Sequence, residues 1–227
     1  MRVIFCLPGK TFSGKFLQSW TLLVNACIRA GIDVVLSQKY TSNVYYVRAL
    51  CLGADVMRGP KQSPFDGKLP YDYIMWIDSD HVFEPEQFFK LLSHKKDIVG
   101  GLYLMEGGQQ FAVVKDWDED FFKSHSSFKF LTPNDLPINK QLMEVSYSGF
   151  GFLLMKHGVF ETIDYPWFEP QHFKFGESMS DFASEDVSFC LKAKKYGYKI
   201  HIDPTIVVGH EKTQILHCNP YSTINFK

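Results

Sequence analysis

Nothing in this sequence marks it for a membrane, a polynucleotide or an oxidising compartment. Its 227 residues carry 24 basic and 25 acidic side chains for a formal net charge of -1, so no global field draws it to nucleic acid or to an anionic lipid surface. No apolar run approaches the ~20 residues needed to span a bilayer. The short run VIFCL near the N-terminus is cut by Pro8-Gly9-Lys10 before it reaches signal-peptide length. The five cysteines, Cys6, Cys27, Cys51, Cys190 and Cys218, are odd in number, far apart and without CxxC or zinc-type spacing, which points to buried thiols in a reducing compartment. Repeats and low-complexity tracts are also missing. The expectation is a cytoplasmic protein with no nucleic-acid partner and no membrane span. What the chain does have is 45% hydrophobic residues, among them 21 Phe. That is enough for a full core, and the length suits one large domain.

Residues 9–16, GKTFSGKF, follow an apolar run and nearly match the phosphate-cradling P-loop, with Gly9, Gly14 and Lys15 in place. The match fails where a Ser or Thr hydroxyl must ligate Mg2+, because position 16 is Phe. Shifting the frame so that Gly9-Lys10-Thr11 ends the motif puts its first glycine on Ile4. A strand-to-helix turn is the better reading, and such a turn still binds phosphate or a nucleotide without being an NTPase loop.

Hydrophobic periodicity organises the first half. Ser13 is placed as an N-cap, apolar residues recur at helical spacing from Phe16 to Ile28, and Gly31 stops the helix. A strand at 32–36 and a helix at 44–52 follow, then a Pro- and Gly-rich loop at 59–70. YIMWI at 73–77 reads as a buried parallel strand, Pro85 opens a helix, and 98–104 is the next strand. Residues 106–140 show no clear periodicity. Strand-like runs return at 110–114, 144–148 and 151–155, a polar and aromatic stretch begins at Trp167, and a helix starts near Glu185 and ends at Gly197. Strands at 199–202 and 206–208 close the pattern. Strands alternating with helices predict an α/β fold with a mostly parallel central sheet flanked by helices. The expected arrangement is a single domain of two halves, a nucleotide-binding half over 1–104 and a smaller mixed-sheet acceptor and catalytic half over 105–227.

Three clusters carry potential chemistry. Asp78-Ser79-Asp80 follows YIMWI directly, at the carboxyl end of a strand, where open α/β sheets bind ligands. Two hard oxygen donors there suit Mg2+ or Mn2+ carrying a diphosphate; an acidic turn capping the next helix is the plainer alternative. Ser184-Glu185-Asp186 opens a helix. A Ser cap with acids in the first turn explains it locally, whereas a carboxylate there also serves as a general base for a hydroxyl. His210 follows IVV and Gly209, and reads either as a surface residue or as a metal ligand ending a strand. His201, inside a strand, and His217, in a polar tail, look less purposeful.

In order and spacing, VIFCLPGKTFSGKF, YIMWIDSDHVF, VSYSGFGFLLMKHGVF and SEDVSFCLKAKKYGYKIHIDPTIVVGH together resemble the DXD-containing, family-two-like glycosyltransferases of GT-A fold, over nearly the whole chain. Within that group, the small size and missing anchor are similar to domains encoded by large algal viruses to glycosylate their capsid protein, which implies a host cytoplasm. The resemblance implies a nucleotide-diphosphate sugar donor, usually UDP-linked, a glycan or glycoprotein acceptor and a divalent metal, commonly Mn2+. Asp78 would contact the ribose or the metal, and Asp80 and His210 would ligate it. Pro8, Gly9, Thr11, Arg48 and Ser79 would line the nucleotide, and Gly149, Phe150 and Gly151 the donor sugar. Asp186 would be the base of an inverting reaction, with Glu185 shaping the acceptor site. The loop after the first strand departs from the family's Asn-rich run, which leaves the base open. A nucleotidyltransferase acting on a sugar phosphate and a non-catalytic nucleotide-sugar-binding module are the alternatives.

Overall fold

Apolar runs become strands and Gly-marked patterns become helices where the sequence places them in the first half. The computed structural model describes residues 1–175, 177 and 179–213, so Cys218 and His217 lie outside the described residues. Strand β1 (Arg2–Pro8) is buried from Val3 onward. Helix α1 (Gly14–Arg29) starts where the Ser13 hydroxyl accepts the Phe16 N–H at 3.1 Å, and the chain turns out of it at Gly31, with φ +70°. Next come β2 (Asp33–Lys39), α2 (Val44–Cys51), β3 (Tyr73–Ile77), β4 (His81–Val82), α3 (Pro85–Ser93) and β5 (Ile98–Leu102). β2 runs past its predicted end because Ser37, Gln38 and Lys39 continue the ladder with Cys6, Leu7 and Pro8; an edge strand tolerates polar side chains.

The second half holds β6 (Val113–Val114), α4 (Glu119–His125), β7 (Met143–Val145), β8 (Tyr147–Ser148), β9 (Phe152–Lys156), α5 (Val159–Thr162), β10 (His172–Phe175), β11 (Met179–Phe182), α6 (Glu185–Lys195), β12 (Ile200–Val207) and β13 (Gly209–His210). Several expectations fail here. The run at 110–114 shrinks to two residues, and the run at 144–148 breaks at Ser146 into strands of two different sheets. The stretch without periodicity contains α4, which Asp118 caps by accepting the Phe121 N–H at 2.8 Å. The polar and aromatic stretch contains the β10–β11 hairpin. The two closing strands are one strand, irregular in register between Ile202 and Val207, with Pro204 at the irregularity where a missing N–H is tolerated.

One seven-stranded sheet, in the order β2-β1-β3-β9-β5-β12-β7, takes strands from both halves. Five strands run one way, and β9 and β7 run against them. The predicted parallel strand β3 is therefore parallel to β1 but antiparallel to β9. Ile74 to Ile77 of β3 have no exposed surface; burying an Ile or Met in this way contributes roughly 1.5–3 kcal/mol. Alternation sends Ile74 and Trp76 into one core layer with Cys51 and Phe189, and Met75 and Ile77 into the other with Leu23 and Phe88. Helices thus cover both faces, and the strand ends remain free to carry chemistry. Among the described residues no helix is long and apolar enough to cross a membrane.

Candidate active site

β3 ends at Ile77 and delivers Asp78-Ser79-Asp80-His81 into a tight turn, in which the His81 N–H donates to the Asp78 carbonyl at 3.2 Å and the Asp78 N–H to the Gly151 carbonyl at 3.0 Å. Gly9, at the end of β1, abuts this turn. A Cβ at Gly9 would lie 2.6 Å from that of Ser79, so this glycine is what lets the first loop approach. Lys15 lies instead in the first turn of α1, exposed.

Arg48 of α2 is almost wholly buried beside the turn. Its Nη1 and Nη2 donate to the two oxygens of Asp78 at 3.1 and 3.2 Å, and its Nε donates to Glu185 Oε1 at 2.9 Å. The guanidinium also lies 5.0 Å from the Phe150 ring centre and 5.6 Å from that of Trp76. Burial opposes its charge, but the two carboxylates outweigh burial and hold it protonated. Glu185 is itself buried; desolvation and the neighbouring Asp186 raise its pKa, against the lowering effect of Arg48. The local helix-cap reading of Ser184-Glu185-Asp186 therefore gives way to long-range pairing. The Ser184 hydroxyl makes no cap bond to the backbone and donates instead to Asp186 Oδ1.

Asp186, half-buried, is fixed from three sides. Besides Ser184, the Val187 N–H donates to Oδ1 at 2.8 Å and the Tyr147 hydroxyl to Oδ2 at 2.7 Å. Burial, followed by the adjacent Asp186 charge, pushes the Tyr147 phenol well above its usual pKa, so it stays a donor.

A two-residue ladder pairs β4 with β13 and sets His81 opposite His210. Asp80 Oδ2 lies 3.0 Å from His210 Nε2 and accepts from Lys212 Nζ at 2.9 Å. Burial opposes ionisation of Asp80, but contact with His81, the Lys212 hydrogen bond and His210 outweigh it and hold the carboxyl well below the usual range. His210 Nδ1 lies 2.6 Å from the Leu104 carbonyl. A carbonyl only accepts, so Nδ1 carries the proton and Nε2 faces Asp80. His81 is 1% exposed, and among the described residues neither ring nitrogen has a hydrogen-bond partner.

A groove of about 340 Å3 runs along these strand ends. Pro8, Gly9, Arg48, Asp78, Ser79 and Asp80 line it, and Tyr40, Thr41 and Ser42, between β2 and α2, add a wall that no motif in the sequence marks. The available signal was their place just after β2, at the ligand-binding end of the sheet. Thr11 is exposed and not among the lining residues. Gly149 and Gly151 sit where a Cβ would strike Tyr103 Oη at 1.9 Å and His81 Nε2 at 2.5 Å, whereas Phe150 between them has no exposed surface and packs under Arg48. The structure thus joins Asp80 and His210, adds His81, and commits Asp78 and Glu185 to Arg48. Gly151→Ala should drive the His81 ring from its place and cost ~1–3 kcal/mol, read as a lower urea midpoint.

No protein-family model matches the sequence, and no curated protein matches it either. The three-dimensional comparison is informative. The structure of A197 from STIV superposes over 98% of this chain and 100% of its own, with a TM-score of 0.50 at 16% identity. The structure of GalNAc-T7 with UDP, GalNAc and Mn2+ superposes over 92% of this chain, also at 0.50, with 11% identity. The chain has the GT-A fold. It spans 42% of the GalNAc-T7 chain, and at these identities the likeness concerns the GT-A fold alone. A glycosyltransferase involved in glycosylation of the major capsid of PBCV-1 overlaps 73% of this chain and 68% of its own, at 11% identity and a TM-score of 0.33, too low to bear on a viral kinship. Arg48 joins the groove, through Asp78, to the start of α6, through Glu185, with Gly149 and Gly151 between the two in the chain.

Proposed function

We propose that the protein is a metal-dependent glycosyltransferase that moves a sugar from a nucleotide-diphosphate donor, UDP-linked, to a hydroxyl of a glycan or glycoprotein acceptor with inversion at the anomeric carbon. The observation that carries this reading is the meeting, through the single ion-pair hub Arg48, of a groove of nucleotide size with a helix that opens on a fixed carboxylate, Asp186. Pro8, Gly9, Ser79 and the Tyr40–Ser42 wall receive the nucleotide. Thr11, Gly149 and Gly151 do not line the groove; the two glycines make room for Tyr103 and His81, which stand behind it.

Asp186 takes the proton of the acceptor hydroxyl as the new oxygen–carbon bond forms, and the bond to the diphosphate breaks with its electron pair leaving on phosphate. Tyr147 and Ser184 hold the base in line for that step, which contributes through positioning as well as proton transfer. The chain also fits a divalent cation, Mn2+ or Mg2+. Asp80 and His210 present an oxygen and a nitrogen to one point, beside a buried imidazole that has no hydrogen-bond partner among the described residues. When bound there, such an ion would neutralise charge on the departing diphosphate.

Calorimetry of UDP, GDP and ADP, with Mn2+ and with EDTA, tests the donor class. Mn2+-dependent binding selective for one diphosphate is expected, and absence of binding under every condition would refute the reading. Released UDP, rather than pyrophosphate, separates it from nucleotidyl transfer. Because Lys15 stands apart in α1, Lys15→Ala should leave turnover within about twofold, whereas a phosphate-cradling role would abolish it.

A further inference from the structure

We infer that His81 is a third ligand of the cation and that Asp78 is not a ligand, so that the centre is built of two imidazoles and one carboxylate and takes a transition-metal dication such as Mn2+ or Co2+ in preference to Mg2+. The inference rests on the proposed function only in requiring that the cluster hold a cation.

His81 is 1% exposed, and it differs from the other buried polar side chains in that both of its ring nitrogens lack a hydrogen-bond partner among the described residues. Leaving a buried polar atom unpaired costs about 1–3 kcal/mol. A packed histidine ordinarily avoids that cost by finding a carbonyl or a hydroxyl, as His210 does with Leu104. Nδ1 of His81 lies 3.2 Å from Asp80 Oδ1 without the geometry of a hydrogen bond, and one donor atom from each of Asp80, His81 and His210 falls within 4.8 Å of the others. That spacing allows one ion to touch all three.

The surroundings fix which atoms face inward. Nε2 of His81 sits against Gly151, where any Cβ would lie 2.5 Å away, so Nδ1 is the atom turned to Asp80. The two imidazoles stack with centres 4.8 Å apart and planes at 25°, and the Tyr103 ring stands edge-on to both. Lys212 donates to Asp80 Oδ2 and must yield to a cation; its side chain is 40% exposed and free to swing into solvent. Asp78 is turned to another partner, since both of its oxygens accept from Arg48, and the cluster of converging ligand atoms is made by Asp80, His81 and His210 without it. Mg2+ wants oxygen ligands in a near-ideal octahedron, whereas imidazole nitrogen suits the later dications. Two nitrogens in three ligands therefore discriminate against Mg2+.

The test is electron paramagnetic resonance of Mn2+ added alone and again with UDP. In the wild-type protein, one bound Mn2+ should show couplings to two imidazole nitrogens, and a large molar excess of Mg2+ should fail to displace it. His81→Gln should retain one coupling and bind Mn2+ more weakly by at least ~10-fold, the lower end of what even an outer-shell substitution costs, with the unfolding midpoint in EDTA showing that the variant is folded. Asp78→Asn should leave Mn2+ affinity unchanged. A single nitrogen coupling in the wild type, unaltered affinity in His81→Gln, lost affinity in Asp78→Asn or ready displacement by Mg2+ would each overturn the inference while leaving the glycosyltransferase reading intact. No bound Mn2+ in either condition would overturn both.

Discussion

Replacing Asp186 with Asn should lower transfer from a UDP-sugar by about 10²–10⁴-fold, the usual contribution of a positioned base, and leave UDP affinity at the wild-type value. The carboxamide keeps the size of the carboxylate and still offers one oxygen to the Tyr147 hydroxyl, so the helix start and the groove should persist. What it loses is the ability to take a proton. It also places an NH2 where Ser184 and the Val187 N–H now both donate to Oδ1. Initial rates with saturating donor, set beside calorimetry of UDP with Mn2+, separate the two effects. A rate within a few-fold of wild type would remove Asp186 from the role of base, and a parallel loss of UDP binding would show that it acts through the groove.

Arg48→Met should be the most destabilising single change among the site residues, by about 3–5 kcal/mol, the cost of breaking a buried ion pair from one side. The guanidinium neutralises Asp78 and Glu185 together and fills the space over the Phe150 ring. Methionine restores part of the volume but leaves both carboxylates without their counterion, and Glu185 is buried. Since whole domains are stable by only about 5–15 kcal/mol, the loss should be plain in a urea unfolding curve. The double variant Arg48→Met/Glu185→Gln should recover a large share of it, because the buried charge is then gone. If the single variant unfolds at the wild-type urea concentration, the triad contributes nothing net.

The part of the fold legible in the sequence is the part that is locally encoded. α1 announces itself by Ser13, its apolar stripe and Gly31, and β3 by five apolar residues between acids, so both were placed to within a residue or two. The second half hid its elements because its strands are two or three residues long and are made by partners far away in the chain. Ser146 breaks a run that periodicity joins, and Asp203-Pro204-Thr205 bends a strand that turn signals divide. The same contrast holds at the site. Asp80, Asp186 and His210 could be named from strand and helix ends. His81 could not, because a histidine next to an aspartate in a turn looks incidental until β13 is laid beside it. Nor could Asp78 be assigned to Arg48, since a pair separated by 30 residues leaves no mark in local pattern.

The pairing of β4 with β13 also fixes when this cluster can exist. Asp80 and His210 stand 130 residues apart, and closing a loop of that length costs on the order of 4 kcal/mol in chain entropy. A two-residue ladder repays little of this, so it is the seven-stranded sheet that holds the two segments together. The acid and its imidazoles thus stand together only where the rest of the chain has found its place.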